Sequence, residues 1–279
     1  MDASFDLLGT EPPASPVVLS VPHAGRAYPP ALVAALRVPV TALALLEDRH
    51  IDQVAAAARG VETMLVQRRP RAWIDLNRSE EERDAKVDEG VRPQGQPALS
   101  AKLRSGLGLI PRRAGAAGDL WRRRFTAAEV AARIAADHRP YHAMLAGRLA
   151  AARSHFGVAV LLDIHSMPSL GNATRIVIGD RFGKSAAPRF VARLEAEAMR
   201  VGIGVALNTP YAGGHILARH ADPARGVHAI QIEFDRALYL DAALDELGSG
   251  FAQTVALLRR MIAAVEDEAS GGTLPLAAE

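Results

Sequence analysis

Four short stretches carry side chains able to do chemistry, and each closes an apolar run. They are Ser20-Val21-Pro22-His23-Ala24-Gly25, Asp75-Leu76-Asn77-Arg78, Asp163-Ile164-His165-Ser166 and Ile230-Gln231-Ile232-Glu233-Phe234. A fifth, Glu47-Asp48-Arg49-His50-Ile51-Asp52, adds carboxylates and an imidazole. The chain has no cysteine, which excludes disulfides and thiolate ligands. A metal would have to be held by imidazole and carboxylate, the donor set of catalytic rather than structural zinc. His165 follows Asp163 by two residues, so both point to one face of a strand. Asp163 is then expected to orient the imidazole from behind. His23 precedes Ala24-Gly25, where a tight turn leaves its ring projecting. Glu47, Asp48, His50 and Asp52 compete for the third ligand position; on a helix, Asp48 and Asp52 would share a face and His50 would point away.

The remaining polar groups complete a hydrolytic set. Glu233 lies between Ile232 and Phe234 in a run that reads as buried. A carboxylate there must be paired or working, since burying it alone is costly, and a general base beside a metal-activated water is the role it suits. Arg78 can clamp a substrate carboxylate bidentately. Gly213-Gly214-His215 offers an imidazole on a flexible loop, able to steady an oxyanion. Together these predict a zinc hydrolase that cuts an amide next to a carboxylate. Other signals fail. His138 and His142 are four apart, but Pro140 lies between them and no glutamate follows His138, so this is not the helical metalloprotease motif. Ser166 lacks a nucleophile elbow, and Gly202-Ile203-Gly204 lacks the rest of a dinucleotide fingerprint.

Strands alternating with helices must position these groups. Residues 16–22, 61–67, 72–76, 157–164, 173–179 and 227–234 read as strands; 31–59, 127–153, 186–201 and 241–268 read as helical, with interruptions at 47–52 and at Pro140. Residues 79–118 are weakly patterned and rich in charge, Gly and Pro, as expected of an excursion near the active-site mouth. The reading is a single α/β domain over 1–279, with a mixed, largely parallel sheet flanked by helices and tails at 1–15 and 270–279. Ligands of such sheets sit beyond the carboxyl ends of the strands, where the motifs fall.

Composition narrows the class. The 279 residues carry a net charge of +2, and the bases are arginines apart from Lys86, Lys102 and Lys184. The runs Arg68-Arg69-Pro70-Arg71 and Arg122-Arg123-Arg124 have no interleaved aromatics and read as solvated surface rather than a nucleic-acid patch. No apolar run is long enough to span a membrane, and the start, with Asp2 and Asp6, lacks the basic region of a secretory signal. A cytoplasmic enzyme with a small-molecule substrate is expected; the oligomeric state is open.

Taken together, Ser-Val-Pro-His-Ala-Gly, Glu-Asp-x-His-Ile-Asp, Asp-Leu-Asn-Arg, Asp-Ile-His-Ser, Gly-Gly-His-Ile and Gln-Ile-Glu-Phe-Asp-Arg-Ala-Leu-Tyr resemble the N-formylglutamate amidohydrolases, over residues 17–241. That family hydrolyses N-formyl-L-glutamate to formate and glutamate in one branch of histidine degradation. It is similar in fold plan to the zinc metallocarboxypeptidases and aspartoacylases, so the resemblance implies a zinc-carboxypeptidase-like (phosphorylase/hydrolase-like) sheet. It further implies His23, Asp48 and His165 as ligands of one zinc, Asn77 and Arg78 as substrate-binding residues, and Glu233 as the base. The relatives place the first His and the carboxylate three residues apart, whereas His23 and Asp48 are distant in sequence, which makes Glu47 the rival of Asp48. Another divalent metal, another N-acyl amino acid, a carboxypeptidase-type peptide and a catalytically silent binding protein are the alternatives.

Overall fold

The computed structural model describes residues 4–91 and 101–271. Its strands are β1 (Phe5–Leu8), β2 (Val17–Val21), β3 (Thr63–Gln67), β4 (Ala159–Met167), β5 (Thr174–Gly179), β6 (Gly204–Leu207) and β7 (Val227–Asp235). They form one sheet in the order β1-β3-β2-β4-β7-β5-β6. Strands β3, β2, β4 and β7 run parallel, as do β5 and β6; β1 and β5 are antiparallel to β3 and β7. This is the mixed, largely parallel α/β sheet that the pattern predicts. The helices are α1 (Pro30–Ala35), α2 (Ile51–Ala58), α3 (Ala101–Arg104), α4 (Ala127–Arg133), α5 (Arg139–Phe156), α6 (Pro188–Arg200), α7 (His215–His220) and α8 (Phe251–Ala269).

The two faces of the central strands are built differently. On one, Val17, Leu19 and Val21 of β2, Val160, Leu162 and Ile164 of β4, and Ile230, Ile232 and Phe234 of β7 pack under α2, α6 and α8. This face is apolar except for His228 of β7, whose ring packs on Phe190 of α6. On the other, Val18, Leu161 and Ala229 pack under Tyr141, Leu145 and Leu149 of α5 and Leu217 of α7. Further along that second face the alternation continues with Ser20, Asp163, His165, Gln231 and Glu233, all buried. One face of the sheet therefore turns from apolar to polar as its strands approach their carboxyl ends. Strand order also reverses there, since β2 is flanked by β3 on one side and by β4 on the other, the place where open α/β sheets bind ligands.

Several elements differ from the sequence reading. Residues 72–76 are a turn rather than a strand: Trp73 N–H bonds Pro70 O, and the Asp75 side chain accepts from Asn77 N–H. That local acceptor offers the backbone an alternative to a ladder. The expected N-terminal tail contains β1, an edge strand on β3, and β6 is a further short strand. The C-terminal helix starts at Phe251, because the Asp241 side chain accepts from the N–H groups of Asp245 and Glu246 and ties that stretch into a turn. The helical break falls just before Pro140, as a π-turn at Ile134–His138 between α4 and α5. Within the 79–118 excursion, residues 92–100 lie outside the described residues, as do 272–279 of the expected C-terminal tail. The described part of the excursion has its own core: Val87, Leu109, Ile110 and Ala114 pack with Leu32, Leu43, Trp121 and Phe125.

Candidate metal centre and active site

His23 stands just past β2, where Gly25 lets the chain pass hard against the next segment; a Cβ there would lie 2.2 Å from Arg69 O. Asp48 is brought to it by the backbone, since Asp48 N–H bonds His23 O at 3.0 Å. Asp48 therefore precedes α2 and does not share a helix face with Asp52, contrary to the helical reading. His165 reaches the same point from β4. One ligand atom each of His23, Asp48 and His165 lie within 4.8 Å of one another, and all three residues are buried.

The donor atoms suit a cation. Asp48 Oδ2 is 3.1 Å from His165 Nδ1 and 3.7 Å from His23 Nδ1, and the latter nitrogen is buried without a hydrogen bond. Each ring turns its other nitrogen to a carboxylate: His23 Nε2–H donates to Asp75 Oδ1 and His165 Nε2–H to Asp163 Oδ2, both at 2.8 Å. This carboxylate–imidazole pairing fixes the tautomer and raises ligand basicity in metal sites. Asp163 was anticipated in that position and Asp75 was not. Burial and the charge of Arg71 hold the His23 imidazole down to about 4, against the pull of Asp75. Burial also opposes a charge on His165, yet Asp163, Asp48 and Glu233 outweigh it and hold its proton well above the usual histidine range. Surroundings that retain a proton there would equally favour a divalent cation in its place.

The other members of the 47–52 cluster are occupied elsewhere. Glu47 accepts from Tyr28 OH, Asp52 pairs with Arg26 at 3.1 Å, and His50 bonds Asp245 O and Gln53. Asp48 is the member that joins the two histidines.

A cavity of about 320 Å³ opens over this trio. Glu233 faces it, and the parallel register sets it beside His165. Burial pushes the Glu233 carboxyl up to about 7, with Asp48 raising it further and His165 opposing. Gln231 Nε2 donates to Glu233 Oε1 at 2.7 Å, and Asn77 Nδ2 to Gln231 Oε1 at 3.3 Å. Asn77 lines the cavity, but its Oδ1 accepts Ile216 N–H at 2.9 Å, so it fastens the 213–216 loop to the base. Arg78 spends Nε on Leu107 O, while Nη2 is buried without a partner. That donor is available to an anion in the cavity.

His215 needs a correction. It does not line the cavity; its ring packs against those of His138 and His142, with centroids 5.8 and 5.2 Å apart. The backbone of Gly213 and Gly214, not the imidazole, faces the pocket, so the oxyanion role has no geometric support. The surface reading of Arg71 also fails: its Nε donates to Asp75 Oδ2 at 2.8 Å, and it lines the cavity together with Lys102, Tyr211 and Arg236. Arg71 was hidden by the arginine run around it, Lys102 by the weak patterning of its segment.

Known proteins resemble the chain over most of its length. The family model described as N-formylglutamate amidohydrolase matches residues 15–240. An N-formylglutamate deformylase of Pseudomonas aeruginosa is 32% identical over 241 residues, covering 81% of this chain and 82% of that protein. A crystal structure of N-formylglutamate amidohydrolase from Ralstonia eutropha JMP134 superposes with a TM-score of 0.88 at 33% identity, over 98% of this chain and all of that one. A gene product of Agrobacterium tumefaciens, 20% identical with a TM-score of 0.56 over 96% of both chains, shares the fold. Agreement of sequence and backbone over so much of the length has one explanation, common descent: the chain belongs to the N-formylglutamate amidohydrolase family.

Proposed function

We propose that the chain hydrolyses N-formyl-L-glutamate to formate and L-glutamate, using one zinc ion held by His23, Asp48 and His165. The observation that carries this reading is the unpartnered Arg78 Nη2 in the same cavity as a buried carboxyl at about 7 and a three-ligand cluster. Four cationic side chains line that cavity, of which Arg71 and Arg236 are engaged by Asp75 and Asp48. Arg78 and Lys102 remain for a substrate with two carboxylates, as N-formylglutamate has. Lys102 is held over the Tyr211 ring at 5.6 Å, and burial with the charges of Arg78 and Arg71 lowers its pKa.

A divalent cation at the trio would supply Lewis acidity and make water a competent nucleophile near neutral pH. The chain's own groups do the rest. Arg78 fixes a substrate carboxylate, so the formyl amide lies over the ligands. Glu233 takes a proton from the attacking water and delivers it to the departing amine nitrogen, as a general base and then acid. Asp75 and Asp163 keep the imidazoles in the orientation that presents their lone pairs.

The test is zinc content of the purified protein with formate release from N-formyl-L-glutamate, before and after chelation, alongside N-formyl-aspartate and N-acetyl-glutamate. One equivalent of zinc lost by the Asp48→Asn variant, and formate release that chelation stops and zinc restores, support the reading. Turnover of N-acetyl-glutamate alone would replace the substrate, and chelator-insensitive formate release would remove the metal.

A further inference from the structure

On the far side of the Asp75–Arg78 segment lies a second group of histidines that the hydrolytic reading does not use. One nitrogen each of His138, His142 and His215 lie within 4.8 Å of one another. His138 and His142 are buried, with ring centroids 4.4 Å apart, and His215 is half-buried against both. His220 stacks on His142 at 5.1 Å.

The hydrogen bonds fix where the lone pairs point. A carbonyl oxygen only accepts, so His138 Nε2–H donates to Arg78 O at 2.8 Å and His142 Nε2–H to Leu76 O at 3.0 Å. Both rings therefore carry their lone pair on Nδ1. His138 Nδ1 and His215 Nε2 are buried without a hydrogen bond, and His142 Nδ1 accepts from His220 Nε2–H at 2.8 Å. A buried nitrogen left unpaired normally has a reason. Imidazoles that give one N–H to a backbone carbonyl and keep the other nitrogen bare have the preparation seen in metal ligands. The π-turn Ile134–His138 ends on the first of these ligands, and such turns recur at functional sites. Burial holds His142 down to about 2 and His215 and His220 to about 4, so the imidazoles are neutral and their lone pairs free of protons. Glu80 Oε1 is 3.9 Å from His138 Nδ1, but both Glu80 oxygens are held by Arg139, and the nearby Arg219 opposes a cation, so the site rests on its imidazoles.

We propose that His138, His142 and His215 form a second metal site, for a late first-row divalent cation of the kind that imidazole prefers, such as Zn²⁺ or Ni²⁺. Binding replaces the His220 bond at His142 Nδ1. The cation sits behind the hydrolytic centre and is linked to it through Leu76 O and Arg78 O and through the bond from Ile216 N–H, next to His215, to Asn77 Oδ1. Its effect is to stiffen the segment that carries Asn77 and Arg78.

The experiment is metal stoichiometry of the full-length protein dialysed against Zn²⁺, measured for wild type, His138→Gln, His215→Gln and Asp48→Asn. Circular dichroism melts confirm that each variant is folded. The expected result is two equivalents for wild type and one for each variant. A folded His138→Gln and His215→Gln that keep the wild-type count overturn the proposal. So does a wild type holding one equivalent that Asp48→Asn loses, an outcome that needs neither histidine variant to fold. The two readings fail separately: one equivalent with intact formate release removes only the second site, and two equivalents without formate release remove only the proposed reaction.

Discussion

Glu233 is the residue on which the proposed reaction turns, and its environment sets a pH dependence. Burial raises its pKa from 4.5 to about 7, and a cation held by the trio would draw the value back down. Below that pKa the carboxyl is protonated and cannot accept the water proton. Formate release should therefore rise with pH between about 4.5 and 7 and then level off; a rate constant flat across that range would dismiss Glu233 as the base. Glu233→Gln should lower kcat by roughly 10²–10⁴ while leaving zinc content unchanged, the usual worth of a general base. Asp75→Asn should weaken zinc binding by roughly 10–100-fold, because His23 loses the partner that holds its tautomer. Chelator competition measures this, and equal affinities in variant and wild type would make Asp75 a bystander. Residue types went far in the sequence: His23, Asp48 and His165 each end or follow an apolar run, and the fold gathers them. What a ring does at its own position was less legible. His215 begins a helix, α7, and its direction depends on His138 and His142 from a distant part of the chain. Asp75 and Arg71 work through each other and through His23, a relation that exists only after folding.

Among the elements, β2, β4 and β7 were readable because continuous apolar runs mark strands covered on both faces. The change of one face to polar residues was visible as Asp163-x-His165 and Gln231-x-Glu233 once the alternation was applied. Residues 72–76 misled because their apolar content matches a strand, while the side chain that breaks the ladder, Asp75, looks like the end of one. β1 and β6 are four-residue edge strands with too little pattern to register. The 213–216 loop carries a prediction of its own. Gly214 passes so close to Asn77 that a Cβ would lie 2.4 Å from its Oδ1. Gly214→Ala should push the loop off Asn77, release Gln231 from its alignment and lower kcat/KM at least tenfold without abolishing cooperative unfolding. Unchanged kinetics in that variant would show that the loop tolerates displacement.

For the molecule as a whole, a cation bound to the folded state alone stabilises it by mass action. The gain is about 2.7 kcal/mol at a free concentration of 100 Kd, which for a chain of this size is roughly 5–10 °C in Tm. Chelation should lower the melting temperature by that order, and a Tm indifferent to chelator would argue that no metal is held. The overall plan of a largely parallel sheet was legible because strands and helices alternate; the packing of the excursion on α1 was not, since it rests on a cluster that gathers Val87, Leu109 and Ile110 with Leu32 and Ala35 only after folding. The pairing of β2 with β4 carries a consequence for assembly. His165 and Asp48 are separated by 117 residues, and their meeting depends on Ser20 lying opposite Asp163 in the ladder. A slip of one residue would turn Ile164 towards the ligands and send His165 and Asp163 into the apolar layer. The candidate ligand set thus comes together late, after the slow, long-range step of parallel pairing, and binding of an ion there would report that the strands have found their register.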